Sequence, residues 1–567
     1  MLMKVKQRGY SNIYMAFVAT VLYFGLIFYL YPVCLAQDDT LYRSLIDGSY
    51  LGYGEAHVMY IKYAFAYLLT ILYKRMPAIE WYGVIFVGIY IVCLFLMLYK
   101  LIEILKKMWL QLIGVIAFLA LFTELFMEAI IEINFSYVAA FAGMTAVFLL
   151  IVNEDKKLKE NIVIVSVMLL LSYLIRYEVG YIAIGFIGIE LVYRMIWRKN
   201  DRKDILKWGM VLFLLILGVN LVELNAYRSG EKEADNNRSY LYDYEGYPEY
   251  DENQDVFEKY DVSETQYKLM TKGYNGIVEE DIKRGLYGEL ASNMVEKGNT
   301  LTIVDRIKKI ILAACEFYRY TNEEKSYIIN IFIICGSIGS VLYYEGHKQR
   351  KKSCKIVCQY IVYILMWVYL FYKGRINSHA TIPLQGIMMI CVCAELLRIF
   401  DENDKKLSDY KVFSTLVITG SCYLFFCNYF WNYRSGLSIR DILLDQIAVT
   451  ESFTEYAKNN SSNIYITDMN DHYCDNRITL FKSENPSNIV VGRGMGFFAD
   501  KMLQCGMDDS INELYKYKNL YFAIEDEDIA LDVKKIFEQD GKNVQVNKVD
   551  EINTEKTSIE IYQYVLQ

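Results

Sequence analysis

Residues 13–39 read IYMAFVATVLYFGLIFYLYPVCLAQDD, an uncharged apolar run that ends in two adjacent carboxylates, Asp38 and Asp39. A helix needs about 20 apolar residues to cross the ~30 Å hydrocarbon layer of a bilayer, and 13–33 supplies them. Comparable uncharged runs recur at 81–99, 109–123, 133–152, 161–175, 208–222, 327–344, 356–372, 380–394 and 412–433, and 179–193 carries only Glu190. These eleven stretches predict a mainly α, polytopic membrane helix bundle. Composition agrees: 54% of the 567 residues are apolar and 22% charged, too apolar for a soluble chain and too polar for a bare bundle. The net charge of -8 offers no basic face to nucleic acid. No GxxxxGK[ST] phosphate loop occurs.

Basic residues set the orientation. Segment 57–75 is apolar but is interrupted or flanked by His57, Lys62, Lys74 and Arg75. If it does not span and the N-terminus is cytoplasmic, the inner loops each hold three to six Lys or Arg. The short outer loops then hold only Arg43, Lys62, Lys74, Arg75, Arg176, Lys373 and Arg375. A spanning 57–75 would spoil this positive-inside bias. It is therefore read as an interfacial or re-entrant helix within an outer loop, 34–80. Cys34-Leu35-Ala36 has the small-residue spacing of a signal cleavage site, but the apolar run before it is longer than a signal h-region, so the first span is expected to stay.

Two polar blocks remain, both placed outside. A second outer loop, 226–326, contains a Tyr- and acid-rich stretch around 243–248, then 303–318, where Ile303, Ile307, Ile310, Ile311 and Ala314 share one helical face. That pattern predicts a helix lying in the membrane interface. The division drawn is 1–433, the membrane domain, and 434–567, a small extracytoplasmic α/β domain. The latter alternates strands (463–467, 488–491, 519–524, 558–565) with helices (441–458, 498–516, 527–539). Within it, Gly492-Arg493-Gly494-Met495-Gly496 is read as a turn and Asp471-His472 as surface. No repeat and no CxxC pair of zinc spacing is present.

The outer face gathers the ionisable groups that carry chemistry. Adjacent carboxylates at a membrane edge are costly, because burial and mutual repulsion both oppose their charge. Asp38 and Asp39 are therefore candidate functional residues. Behind them, 47–57 reads DGSYLGYGEAH, with Tyr53, Glu55 and His57 among glycines that allow close backbone approach. Glu124, Glu128 and Glu132 are spaced by four, on one face if helical. Arg176 and Glu178 follow in the next outer loop, and Arg375 and His379 in the 373–379 loop. Arg375 is the best candidate for a phosphate, since its fork matches phosphate oxygens.

In this layout the chain resembles the GT-C glycosyltransferases, among them protein O-mannosyltransferases and the lipid A aminoarabinose transferase. The shared features are one span, an acidic pair opening a long outer loop with a membrane-parallel segment (57–75), a later acidic position, and an outer soluble domain. The resemblance covers about residues 1–430. It implies a polyprenyl-phosphate-linked sugar donor, a glycan or lipid-linked acceptor, and inversion at the anomeric carbon. It also implies catalytic roles for Asp38 and Asp39 and for an acid at the second position, where Glu124, Glu128 and Glu132 stand and Glu124 and Glu128 are the candidates. Arg375, His379, Arg176, Glu178, Glu55, His57 and Tyr53 are the expected substrate-binding residues. The chain departs from the pattern in carrying Glu where relatives have Asp in the second loop. It has no Trp-Trp-Asp, which argues against an oligosaccharyltransferase. No cofactor is expected; a divalent metal would need Asp38, Glu55 and His57 to converge. The sequence also looks like membrane proteins of bacterial capsule and cell-wall polysaccharide clusters, which places it in the bacterial cytoplasmic membrane.

Two rivals differ in their sequence demands. A polysaccharide polymerase or ligase would rely on arginines in large outer loops. A transporter or flippase would carry mid-span charges and inverted repeats. The topology has its own test: a reporter fused after Arg202 is expected to report the cytoplasm, and one after Tyr260 the outside. The opposite pair of signals overturns the orientation.

Overall fold

The computed structural model describes the chain except residues 1, 155–161, 199–201, 228–230, 244–247, 273, 275, 277, 279, 321–323, 403–439, 468–475, 483–485, 493–496, 508–510, 525–526, 540 and 554–557. The expected span 412–433, the 433/434 boundary, Asp471-His472, Gly494 at the centre of its glycine run, and the middle of the acidic stretch 243–248 lie outside the described residues.

Among the described residues nine helices are long and apolar enough to cross a bilayer. They are α1 (Leu2–Leu30), α4 (Trp81–Ile104), α5 (Met108–Ile131), α6 (Phe135–Val152), α8 (Tyr177–Trp197), α9 (Arg202–Ala226), α15 (Glu324–Gly346), α16 (Arg350–Lys373) and α17 (Ser378–Glu402). A tenth expected span is the shorter α7 (Ile162–Ile175), 14 residues. At 1.5 Å per residue it covers about 21 Å. The chain is a multi-pass membrane protein, mainly helical.

Helices α6 and α17 occupy the middle of the bundle, and α1 and α9 lie at its edge. The reason is in the residues. Ala139, Ala140, Ala142, Gly143 and Ala146 give α6 a broad stripe of small side chains, so neighbours approach closely there. Gly143 meets Ala183 of α8 and Ser172 of α7, and Gly386 of α17 meets Phe126 and Met144.

Segment 57–75 does not cross. It contains α3 (Tyr63–Arg75), only 13 residues long. The exit of α1 and the entry of α4 lie at the same end of the bundle, because Cys34 pairs with Arg477 and Ile79 with Phe481 of one short stretch. The first loop therefore leaves and returns on one side, adding α2 (Gln37–Ile46) beside α3. The amphipathic segment after residue 302 is α14 (Ile303–Tyr320), with Ile303, Ile307 and Ile311 exposed.

The polar blocks assemble on that same side. A five-stranded sheet has the order β4-β3-β5-β7-β6, built from β3 (Ile464–Thr467), β4 (Ile489–Val491), β5 (Leu520–Ile524), β6 (Val544–Asn553) and β7 (Ser558–Leu566). Strand β3 runs parallel to β4 and β5, and β7 is antiparallel to β5 and β6. Side chains alternate between its two faces. Tyr465, Ile489, Val491 and Ala523 join the core that holds helix α18 (440–459) and the bundle. Ile464, Ile466, Val490 and Phe522 join a second core with α20 (Glu527–Gln539). The segment after α9 supplies the rest of that core. It is helical, with α10 (Glu231–Asp243), α11 (Gln254–Lys259), α12 (Glu264–Thr271) and α13 (Glu280–Thr300), and its Phe257, Leu269 and Leu286 pack with Phe522. The second loop and the C-terminal segment thus form one folded body. The expected helix 498–516 is broken into α19 (Phe498–Gln504) and a 3-10 turn, with Gly506 at φ +77° between them.

At the opposite end of the bundle six charged side chains are buried together. Lys355 of α16 sits 2.6 Å from Glu154, 3.1 Å from Glu190 of α8 and 2.6 Å from Glu395 of α17. Arg194 pairs with Glu190 at 2.8 Å, and Arg398 contacts both Glu154 and Glu395. Three acids and three bases cancel. Such a cluster contributes little net stability over an apolar core, but removing one member strands the others. Lys355→Met is therefore expected to destabilise the detergent-solubilised protein by about 3–5 kcal/mol. Thermal unfolding checks this; an unchanged midpoint would show that the three carboxylates find other partners.

Candidate active site at one end of the bundle

The site is assembled from the two ends of a short parallel ladder. Strand β1 (Cys34–Leu35) pairs with β2 (Glu132–Ile133), extended by Ala36 N–H donating to Ile133 O at 3.0 Å. Leu35 N–H donates on its other side to Asn476 O at 2.8 Å. This fixes the start of α2 against the start of α6.

Asp38 and Asp39 stand in the first turn of α2, where the helix dipole favours carboxylates. Consecutive helical residues point about 100° apart, so the two acids go to different places. Asp39 is fully buried and accepts from Tyr82 O–H at 2.6 Å and from Phe135 N–H at 3.0 Å. Burial pushes its carboxyl well above the usual carboxylate range, against the Tyr82 hydrogen bond, and the charge of Asp38 adds to the rise. Asp38 instead faces a cavity of about 460 Å³.

Four helix N-termini converge on that cavity: Asp38 from α2, Asn134 to Ser136 from α6, Arg176 to Val179 from α8, and Asn377 to Ala380 from α17. Asn134 caps α6 by accepting from Ser136 N–H at 2.8 Å. Arg176 lies over the Tyr60 ring at 4.1 Å and 3.0 Å from Glu178. Arg375 also lines the cavity. Gly374, at φ +70°, ends α16 in the left-handed conformation that glycine accepts most easily, so Arg375 leaves the helix axis. His379 lines the rim, exposed, its ring 5.4 Å from Tyr137. The Tyr42 hydroxyl is buried with no hydrogen-bond partner among the described residues. Burial pushes the pKa of this hydroxyl well above the usual tyrosine range, and the negative charge of Asp38 acts in the same direction. One part of the lining is apolar, formed by Ile182, Met366, Leu370 and Leu384, with Tyr181 and Tyr369 beside them.

Five of the sequence candidates thus share one cavity: Asp38, Arg176, Glu178, Arg375 and His379. The others stand elsewhere. Glu124 is buried within α5, and Glu128 is exposed one turn further along. Glu55 accepts from His57, Nδ1 to Oε1 at 2.5 Å, and His57 Nε2 lies 2.9 Å from Ala226 O. Burial opposes ionisation of Glu55, but the hydrogen bonds from His57 hold its carboxyl below the usual range. Tyr53 is exposed. Asp38 does not join Glu55 and His57, and among the described residues no cluster of three or more His, Cys, Asp or Glu could hold a metal ion. Sequence reading missed Tyr60 and Asn134, which line the cavity. Only Asn134 had a local signal, as an N-cap residue ahead of an apolar run.

No known family and no curated protein matches the chain. Among solved structures, ArnT from Cupriavidus metallidurans bound to undecaprenyl phosphate is similar over 97% of this chain and 97% of that one, at 9% identity and a TM-score of 0.40. The apo state of ArnT from the same organism gives 10% identity, 96% and 97% coverage and a TM-score of 0.38. At these values the likeness assigns no residue and no reaction.

The different surroundings of the two acids are testable. Asn can still accept from Tyr82 and Phe135, so Asp39→Asn is expected to keep the fold, whereas Asp39→Ala leaves both donors unpaired and costs about 1–3 kcal/mol. The raised Asp39 carboxyl also makes stability pH-dependent. The folded state holds this proton more tightly than the unfolded chain, so the contribution is full below the ordinary carboxylate range and is lost as pH rises through the raised value. Asp39→Asn should flatten that slope in thermal unfolding against pH; an unaltered slope removes Asp39 as its source.

Proposed function

We propose that the protein is an integral membrane glycosyltransferase of the GT-C type. It moves a sugar from a polyprenyl-phosphate donor to a glycan or lipid-linked acceptor on the outer side of a bacterial cytoplasmic membrane, as a step in cell-envelope polysaccharide synthesis. The observation that carries the reading is the convergence of Asp38, Arg176 and Arg375 in one cavity with a polar end and an apolar wall. An amphiphile with a phosphate between a sugar and a hydrocarbon chain matches that division.

In this reading the lipid chain lies along Ile182, Met366 and Leu370, and the phosphate sits between Arg375 and Arg176 at the positive ends of α6, α8 and α17. Asp38 takes the proton of the acceptor hydroxyl. The hydroxyl oxygen attacks the anomeric carbon as the bond to the phosphate oxygen breaks, and its electron pair leaves with the phosphate. One displacement from the opposite face inverts the centre. Arg375 and Arg176 stabilise the second negative charge that develops on the phosphate. Asp39 takes no part in bond making; it is a positioning residue that holds α2 against α4 and α6.

Asp38→Asn is expected to lower transfer by about 10²–10⁴-fold, the usual worth of a general base. Binding of undecaprenyl phosphate to the protein in nanodiscs should be unchanged. Arg375→Ala should weaken that binding. The assay is release of polyprenyl phosphate from a panel of polyprenyl-phosphate sugars, with Asp39→Asn as the active control. Full activity in Asp38→Asn would falsify the assignment of the base.

A further inference from the structure

A second, larger crevice of about 1460 Å³ lies between α13 and the segment before α11 on one wall and α14 on the other. Gly374 and Ile376 line it, while Arg375 between them lines the first cavity. The 374–376 turn is therefore a partition with one recess on each side. We infer that the crevice is the binding site for the acceptor, an uncharged or amine-bearing oligosaccharide. The inference rests on the transferase reading of the neighbouring cavity.

Three features select this class. Small-molecule sites occupy about 300–1,000 Å³, so the crevice has room for a ligand of several sugar units. Its lining is part apolar and part charged, and the charged side chains are five carboxylates, Glu249, Glu252, Asp255, Asp305 and Glu316, against three lysines. One of the lysines, Lys297, is already 2.6 Å from Glu252. The surplus of acid repels sulfated or phosphorylated chains and suits hydroxyl and ammonium donors. The third feature is where it opens. On α14 the crevice-lining residues Asp305, Lys308 and Leu312 stand opposite the exposed Ile303, Ile307 and Ile311. An α14 lying in the interface with its isoleucines toward lipid holds the crevice at the membrane surface, beside the donor phosphate.

The test uses the full chain in nanodiscs and a labelled array of neutral, amine-bearing and sulfated mono- to hexasaccharides. Neutral or amine-bearing chains of three or more units should be retained at least tenfold better than their monosaccharides, and sulfated ones not at all. Asn293→Trp and Ala313→Trp, which fill the crevice, should abolish retention while undecaprenyl phosphate still binds with wild-type affinity. That second measurement also certifies that the variants fold. The double variant Glu249→Lys/Glu316→Lys should shift retention toward sulfated chains. The inference is overturned if no saccharide is retained, if sulfated chains are preferred by the wild type, or if both Trp variants retain saccharide normally. Loss of undecaprenyl phosphate binding by the wild type, with saccharide retention intact, would instead remove the donor reading and leave the crevice standing as a glycan site.

Discussion

The carboxylate of Asp39 is the point where the first loop is joined to the bundle. It receives the Tyr82 hydroxyl at the start of α4 and the Phe135 amide at the start of α6, one of the N–H groups a helix cannot satisfy itself. In a membrane, apolar contact does not distinguish a neighbouring helix from lipid. Directional polar bonds at helix ends therefore decide which ends meet. The β1–β2 ladder and the pairing of Cys34 with Arg477 work in the same sense, and together they bring the acidic turn of α2 to the N-termini of α6, α8 and α17.

Much of this was legible in the residues because the bilayer imposes a simple rule on length and polarity. Uncharged runs such as 133–152 and 380–394 mark α6 and α17, and the charges of 57–75 mark it as a segment that stays on one side. Strands at 464–467, 489–491 and 520–524 also stood out, since burial on both faces makes them continuously apolar. Strand β6 was not seen, because at the sheet edge it is largely exposed beyond Val544 and reads as mostly polar, VQVNKVDEIN. The shared core of α11–α13 with the C-terminal sheet was invisible for a different reason. Phe257 and Phe522 are far apart in sequence, and no local period reports a long-range contact. The site was half legible. Type and spacing pointed to Asp38, Arg176 and Arg375, but only the rotation of a helix separates Asp38 from its neighbour, and only packing removes Glu55, Glu124 and Tyr53 from the cavity.

The charges buried away from the cavity bear on the transporter alternative. Glu190, Lys355 and Glu395 are buried charges on membrane-spanning helices, the kind of group that can mark a substrate or ion path. Their arrangement is different from a path. Lys355 touches three carboxylates from three parts of the chain, the arginines close the set, and each of the three side chains is at most 2% exposed. A path needs groups that exchange partners with water or cargo. A neutral set sealed by its own members fixes the register of α8, α16 and α17, the helices that carry Arg176, Arg375 and His379 at their other ends.

The proposed chemistry also accounts for an acid beside a phosphate site. Before reaction Asp38 carries one negative charge and the donor phosphodiester another. When Asp38 accepts the hydroxyl proton it becomes neutral, and the departing phosphate monoester gains the charge that Asp38 loses. The cavity total is unchanged, but the charge moves from α2 toward Arg176, Arg375 and the positive ends of α8 and α17. A fixed frame of helix ends is suited to that shift because its dipoles are already aligned and need not reorganise. The same frame explains why two adjacent acids suffice. Asp39 spends its oxygens on holding the frame, and Asp38, one residue earlier on the same turn, is left facing the cavity.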